Sequence, residues 1–352
     1  MCTNLSIKPA NIGGIPHYIS ARTMDFKKVF PWHIMQVARE TSFPAISLVH
    51  NPFKWQSTYG FVAVGVEYDF LDEKNISLKI PFYGDGLNEA GLSAATLWLP
   101  HFTQYPTAAI LSHNLFFGNL AAWALGCCAS VEEIRTHLSR SEFHIAGYPA
   151  IGDIIAPVHF IFQDATGHAL IVEFIDGKVE LHDCANGVMT NSPDYPWQLN
   201  NLSTAVQMSL HNRTFSFNGD KPAEINGSGL LGMPGDATPP SRFIRATKLT
   251  ESTFTPQTTE EAVGLALQIL GNFFVPSGTV LNQNTDEQED FTQWGVVRDH
   301  TNKTFYFVSA FNHVLRGFSL AQLDFKPGTP VKSIPLMTGW NEWFVDVKNA
   351  FQ

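Results

Sequence analysis

Residues 1–26 read MCTNLSIKPANIGGIPHYISARTMDF, and the folding of this stretch decides what the rest of the chain is for. Its second residue is a cysteine. With Met1 removed, Cys2 would carry both a thiol and a free α-amine, so that one residue owns a nucleophile and a base. In model peptides the two groups titrate at about 8.5 and about 8, which makes proton exchange between them inexpensive near neutral pH. The flanking residues have the pattern of a hairpin: CTNLSIKP and IPHYISARTMD partly alternate polar and apolar residues around the turn residues of ANIGG. With Asn11 to Gly14 as the loop, Ala10 pairs with Ile15 and Cys2 falls opposite Thr23. Arg22 and Asp25 then lie close to the thiol, since direct cross-strand neighbours are about 5 Å apart at Cβ. Three positions apart, they face opposite sides of a regular strand. Asp25 is therefore expected beyond the strand's end or after a bulge.

Beyond the hairpin, FVAVGVEYDF and SLKIPFYGDGLNEAGLSAATLWLP are β-branched and aromatic runs broken by Gly and Asn, as in strands with tight turns. SHNLFFGNLAAWALGCCASVEEIRTHLS has the length and spacing of two helices, the second starting at Ser130 with acidic residues in its first turn. PVHFIFQD, ATG and HALIVEFI form another hairpin, continued by GKVELHD after Asp176-Gly177. TTEEAVGLALQILGNFF has helical periodicity, and QWGVVRDHTNKTFYFVSA is a further hairpin. Strands at both ends with helices between predict an α+β arrangement of antiparallel sheets covered by helices. No repeat or linker divides the chain, so residues 1–352 are expected to form one domain. Residues 211–242, rich in Asn, Gly and Pro, read as a long loop.

Composition narrows the function. The 352 residues carry a net charge of −10, with 44% hydrophobic and 15% charged, the balance of a globular chain. No Lys/Arg-rich face is visible, which argues against nucleic acid as a partner. No apolar run reaches the roughly 18 residues of a membrane span, and no basic segment followed by an apolar stretch marks the N-terminus. A native Met1 implies a cytoplasmic protein, and a trimmed signal a periplasmic or secreted one. Four cysteines are too few for a disulfide framework, and Cys127 and Cys128 read as small buried residues at a helix end. None of the 13 histidines has metal-ligand spacing, and the faces of His182 to Cys184 alternate, so no metal is expected. GSGLLG (Gly227 to Gly232) has the dinucleotide glycine pattern without its strand, and Pro residues follow where its helix should begin. The acidic run DEQED, Asp286 to Asp290, reads as a solvated loop.

Taken in order, MCTNLS, ISARTMDF, GDGLNEAGLSAATLWL, VMTNSPDYPWQLNNL, GMPGDATPPSRFIRA and TQWGVVRDHTNKTFYFVSA resemble the choloylglycine hydrolase family, which includes bile salt hydrolases and penicillin V acylases. The resemblance runs from Cys2 to about Asn312 and implies the N-terminal-nucleophile hydrolase fold, an αββα sandwich of two antiparallel sheets between helical layers. It also implies hydrolysis of an amide without metal or organic cofactor.

Residue by residue, Cys2 matches the family nucleophile, Arg22 the arginine that stabilises its thiolate, and Asp25 the aspartate that orients its α-amine. Asn191 matches an oxyanion-hole asparagine and Asn88 a second donor through its backbone N–H. Arg242 matches a further arginine near the thiol. Trp98 falls where Gram-negative penicillin acylase relatives have a pocket tryptophan, while Phe26 stands where those relatives have another tryptophan. The implied substrate is a small acyl amide such as penicillin V or an acyl homoserine lactone, with a conjugated bile salt as the second reading. A relative that retains Met1 and binds acyl amides without turnover is the reading outside catalysis. Resemblance also implies a homo-oligomer, with the tetramer common in the family.

Overall fold

The computed structural model describes residues 1–352 except 28, 44–50, 72–76, 108, 110, 111, 141, 148–155, 217, 282–288, 348 and 350–352. In chain order the strands of the two large sheets are β1 (Cys2–Ser6), β2 (Ile19–Phe26), β3 (His33–Val37), β4 (Phe61–Leu71), β5 (Ser77–Asn88), β6 (Ser93–Trp98), β7 (Val158–Gln163), β8 (Ala169–Ile175), β9 (Lys178–Asp183), β10 (Phe291–Asp299), β11 (Thr304–Ser309), β12 (Asn312–Ser319) and β13 (Lys332–Pro335). The first sheet runs β1-β2-β10-β11-β12 and the second β9-β8-β7-β6-β5-β4-β3-β13. Every pairing within them is antiparallel.

The first hairpin forms, with a register one residue away from the expected one. Its tip is a two-residue turn, Gly13 and Gly14 at φ +61° and +85°, between short strands Ala10–Ile12 and Ile15–His17. Positive φ at both central residues suits the twist of the flanking strands, and glycine adopts it without strain. Ala10 therefore pairs with His17 instead of Ile15. Ile7, Lys8 and Pro9 then face only Tyr18 and Ile19, and Cys2 ends opposite Met24 instead of Thr23. A slip of one residue exchanges the faces. Arg22 and Met24 share the face of Cys2, and Thr23 and Asp25 take the other.

Five helices complete the layers among the described residues: α1 (Leu120–Cys127), α2 (Val131–Ser139), α3 (Tyr195–Asn201), α4 (Pro239–Ser252) and α5 (Thr259–Leu270). The Ser130 hydroxyl accepts the Glu133 N–H at the start of α2, and Thr258 accepts that of Glu261 at α5. Both are helix N-caps with acidic residues in the first turn. Helix α1 packs on β5 and β6, whereas α4 packs on β1 and α5 on β2 and β10. Alternation sends Leu5, Ala21, Val62, Leu87, Ile161 and Trp294 into one core cluster, together with residues of α4 and α5. Phe61, Ala63, Phe160 and Phe162 fill a second, against α1 and α2. Burial on both faces explains why VHFIFQ and ALIVEFI are almost continuously apolar.

The loop expected at 211–242 is more structured than its composition predicts. It contains a small hairpin, Arg213–Phe215 with Ala223–Ile225, and its last residues begin α4. Pro239 and Pro240 occupy the first turn of that helix, where a missing N–H costs nothing. In the acidic run Asp286 to Asp290, 286–288 lie outside the described residues. Among the described residues no helix is long and apolar enough to cross a membrane.

Candidate active site

Cys2 is the first residue of an edge strand and is buried, 4% exposed. Its Sγ lies 3.4 Å from Arg22 Nη2. The position of that guanidinium follows from an interruption in the second sheet. The β5–β6 ladder proceeds through Ser93–Leu87, Ala94–Gly86 and Ala95–Asp85 and ends there. At the next step Arg22 reaches across from the first sheet. Its Nη1 donates to Gly84 O and its Nη2 to Thr96 O, the latter at 2.6 Å. The cation thus takes two carbonyls that a continuing ladder would use, and its plane lies 5.0 Å from the Trp294 ring centroid.

Asp25 sits within β2, on the helix-facing side, so the strand does not end before it. The expected bulge occurs in the partner strand. Thr292 pairs with Asp25 and Trp294 with Met24, leaving Gln293 as the extra residue. Residues two apart would share a face of a regular strand; the bulge lets Thr292 face Asp25 while Trp294 faces Arg22. The carboxylate accepts from Thr23 Oγ1 at 3.1 Å and Thr292 Oγ1 at 2.5 Å. Burial pushes the Asp25 carboxyl above its ordinary value, against the opposing pull of the chain's terminal amine and Arg242. Its backbone is paired with Met1: Asp25 N donates to Met1 O at 2.9 Å, and the Met1 ammonium donates to Asp25 O at 2.5 Å.

Asn191 reaches Cys2 from the free edge of β1. Asn4 N donates to Met189 O and Met189 N to Asn4 O, an isolated bridge that lays residues 189–191 alongside the strand. Continuing that register puts Asn191 beside Cys2. Asn191 Oδ1 accepts from Cys2 N at 2.9 Å and from Arg242 Nη2 at 2.6 Å, and its Nδ2 donates to Trp98 O at 2.6 Å. Two donors on Oδ1 fix which way the amide points and leave one Nδ2 hydrogen for a further acceptor. Arg242, on α4, also donates through Nη1 to Cys2 O and Thr3 Oγ1. It therefore clamps the strand end and the asparagine together.

Residues 2–332 match the sequence model of the linear amide C–N hydrolases, choloylglycine hydrolase family. The chain belongs to the choloylglycine hydrolase family. It is 29% identical to a bile salt hydrolase/transferase of Clostridium perfringens over 301 residues, 84% of each chain. It is 28% identical to a penicillin V acylase of Pectobacterium atrosepticum over 337 residues, 89% of this chain and 80% of the relative. The solved structure of penicillin V acylase from Agrobacterium tumefaciens superposes with a TM-score of 0.75 at 27% identity, covering 95% of this chain and 91% of that one. The protein is thus a hydrolase of linear amides on the N-terminal-nucleophile α+β sandwich.

Within this chain, Cys2, Arg22, Asn191 and Arg242 form one hydrogen-bonded group, with Asp25 held beside it through the Met1 backbone. Asn88 is not part of that group. Its N–H donates to Leu92 O, its Oδ1 accepts from Ala90 N and Leu92 N, and its Nδ2 donates to Leu125 O and Cys128 O. All four hydrogen-bonding positions of the amide organise the β5–β6 turn and anchor it to the end of α1. The site is at the other end of β6, at Thr96 to Trp98, roughly 13–20 Å from Leu92 along a strand that rises about 3.3 Å per residue.

Two further residues support the Asn191 segment and carry no motif. His159 and Glu173 lie on the inter-sheet face of β7 and β8, with His159 Nδ1 2.9 Å from Glu173 Oε1 and His159 Nε2 3.2 Å from Thr190 O. The ring thus bridges the Glu173 carboxyl and the backbone of the Asn191 segment. Next to Asn191, a cavity of about 310 Å³ is lined by Met1, Phe26, Trp98 and Pro239, with Lys27 and Asp290 also on its wall. Phe26 meets Trp98 edge to face, centroids 5.5 Å apart, and stacks on Phe30. A larger cavity, about 450 Å³, lies around Ser6, Tyr18 and Cys184 at the far end of β1, away from this chemistry.

Proposed function

We propose that this enzyme, once Met1 is removed, cleaves an acyl amide of the penicillin V or acyl homoserine lactone kind through a thioester on Cys2. The carrying observation is that one side chain, Asn191, holds the Cys2 nitrogen at 2.9 Å through Oδ1 while its Nδ2, bonded to Trp98 O, keeps a second hydrogen for another acceptor. That nitrogen becomes the α-amine after processing. Cys2 Sγ passes its proton to this amine and attacks the substrate carbonyl, forming the C–S bond. As the C–N bond breaks, the ammonium returns the proton to the leaving nitrogen. Water then gives a proton to the amine and attacks the thioester; the acid leaves, and the proton returns to sulfur.

Asn191 Nδ2 is one donor to the tetrahedral oxyanion, and Trp98 N–H is better placed than Asn88 N–H to be the other. In an antiparallel strand the N–H and C=O of one residue point to the same side. Trp98 O accepts from Asn191, and the next residue, Leu99, donates to Pro157 O on the opposite side. Donors of this kind contribute about 3 kcal/mol each to transition-state stabilisation. The Phe26–Trp98 corner suits a phenoxyacetyl group or an acyl chain; a steroid needs a wider slot, which makes bile salt cleavage the second enzyme reading.

Met1 supports the reading outside catalysis, because its two backbone bonds to Asp25 put it in the acyl cavity. An intact mass, with release of free amine from penicillin V, an acyl homoserine lactone and glycocholate measured on the same sample, tests all three. Cys2-dependent turnover after loss of Met1 is expected on one of the first two, with Cys2→Ala inactive. Turnover of glycocholate alone selects the bile salt reading. A processed, folded enzyme inert on all three rejects the proposed substrates.

A further inference from the structure

Behind Arg22, a carboxylate and a second guanidinium are sealed between the sheets. Asp85 Oδ2 lies 3.5 Å from Arg22 Nη1 and 3.2 Å from Arg298 Nη1, and these side chains are at most 2% exposed. The three residues come from three strands, β2, β5 and β10. Arg298 continues through Nη2 to Asn4 Oδ1 at 2.5 Å, and Asn4 Nδ2 to Gln163 Oε1 at 3.1 Å, which fixes the guanidinium on the side of Asp85 away from the thiol. Two cations against one anion leave a surplus of one positive charge in a region closed to water. Such a surplus is costly unless a counter-charge meets it. A negative charge on Cys2 Sγ, 3.4 Å from Arg22, would have the required sign and position.

We propose that Asp85 and Arg298 are positioning residues that set the ionisation of the Cys2 nucleophile: Arg298 engages Asp85, so that Arg22 retains its charge for the thiolate. The inference rests on the reading of Cys2 as nucleophile. Other charged groups face Cys2 as well: Asp25 from β2, Arg242 from α4 and the residue's own amine, with the His159–Glu173 pair behind Thr190. The Arg22–Asp85–Arg298 row differs from them in lying wholly on the sulfur side of β1. Its two outer members have opposite effects on an anion at sulfur. Loss of Arg298 turns Asp85 wholly onto Arg22 and raises the pH at which the thiol ionises. Loss of the Asp85 charge lowers it.

The test follows iodoacetamide alkylation of Cys2 against pH, read by peptide mass on protein freed of Met1. Cys127 and Cys184, pushed up to about 12 by burial, stay silent near neutrality. Arg298→Met is expected to move the alkylation midpoint up by about one pH unit and Asp85→Asn to move it down by about one. The double variant keeps the net charge and should return the midpoint to within a few tenths of wild type. Shifts in the same direction, or no shift, overturn the proposal. If one single variant does not fold, the other decides alone: a midpoint that stays at the wild-type value or moves in the unexpected direction overturns the proposal, and a double variant displaced by as much as a full unit also overturns it. Alkylation needs no substrate, so a wrong assignment of the hydrolysed amide leaves this outcome unaffected.

Discussion

Asn88 and Asn191 are both fully or almost fully buried, both lie in motifs that the family resemblance marks as donors, and they differ by one hydrogen. At the turn end of β6, the Asn88 side chain makes all four of its bonds to backbone. At the open end, Asn191 makes three and has one Nδ2 hydrogen to spare. The same amide is therefore fully spent on structure in one region and, under the proposed mechanism, has a donor left for chemistry in the other. What separates them is the bonding left unfilled, which residue type does not reveal.

The largest expected effect breaks this comparison on the catalytic side. Asn191→Ala should lower kcat per folded molecule by about 10²–10³, as loss of an oxyanion donor does, in addition to the stability lost with its three buried hydrogen bonds. Equal kcat in the two enzymes would remove Asn191 from the chemistry. Asn88→Ala should change stability alone: about 2–3 kcal/mol less stable in denaturant titration, because carbonyls of α1 and amides of the turn lose partners, with kcat per folded molecule unchanged. Arg242→Lys sharpens the comparison by leaving both asparagines in place. A point ammonium cannot span Cys2 O, Thr3 and Asn191 as the guanidinium fork does, so kcat should fall about tenfold, with KM moving less.

Asp25→Asn is the smallest effect and depends on pH. Burial raises the folded-state value of this carboxyl above its ordinary 3.8. The folded state then holds the proton more tightly than the unfolded state, so this group's contribution is fully present below about 3.8 and is lost as pH rises through the folded value. The variant should match the wild-type melting temperature in acid and exceed it near neutrality, while losing activity. A variant less stable than wild type at neutral pH would show that the terminal amine and Arg242 outweigh desolvation.

The hairpin, the paired helices and the last sheet were legible because alternation and turn residues are local. The register of the first hairpin was not. A Gly-Gly turn and a longer Asn-Ile-Gly-Gly loop suit the same letters and differ by two residues in register; the unmatched residue among Ile7, Lys8 and Pro9 leaves a net slip of one, which exchanges the faces of Arg22 and Asp25. Asn191 and Cys2 could be singled out from their motifs because the roles proposed for them belong to their side chains. The Trp98 N–H could not, since every residue but proline has one. His159, Glu173 and Arg298 left a fainter trace, as polar residues in the mostly apolar runs VHFIF, ALIVEFI and GVVR, whereas Asp85, between two glycines in YGDG, reads as a turn residue; for each the partner that justifies burial lies on another strand.

Arg22 spans the place where β5 and β6 stop pairing, and this gives the enzyme the character of a propped door. The cation that wedges the strands apart beside Trp98 is the one that touches sulfur. Aperture and reactivity are thereby tied to a single side chain. Remodelling the entrance for a bulkier acyl group has to proceed from the Phe26 and Trp98 walls, because changing the prop changes the nucleophile with it.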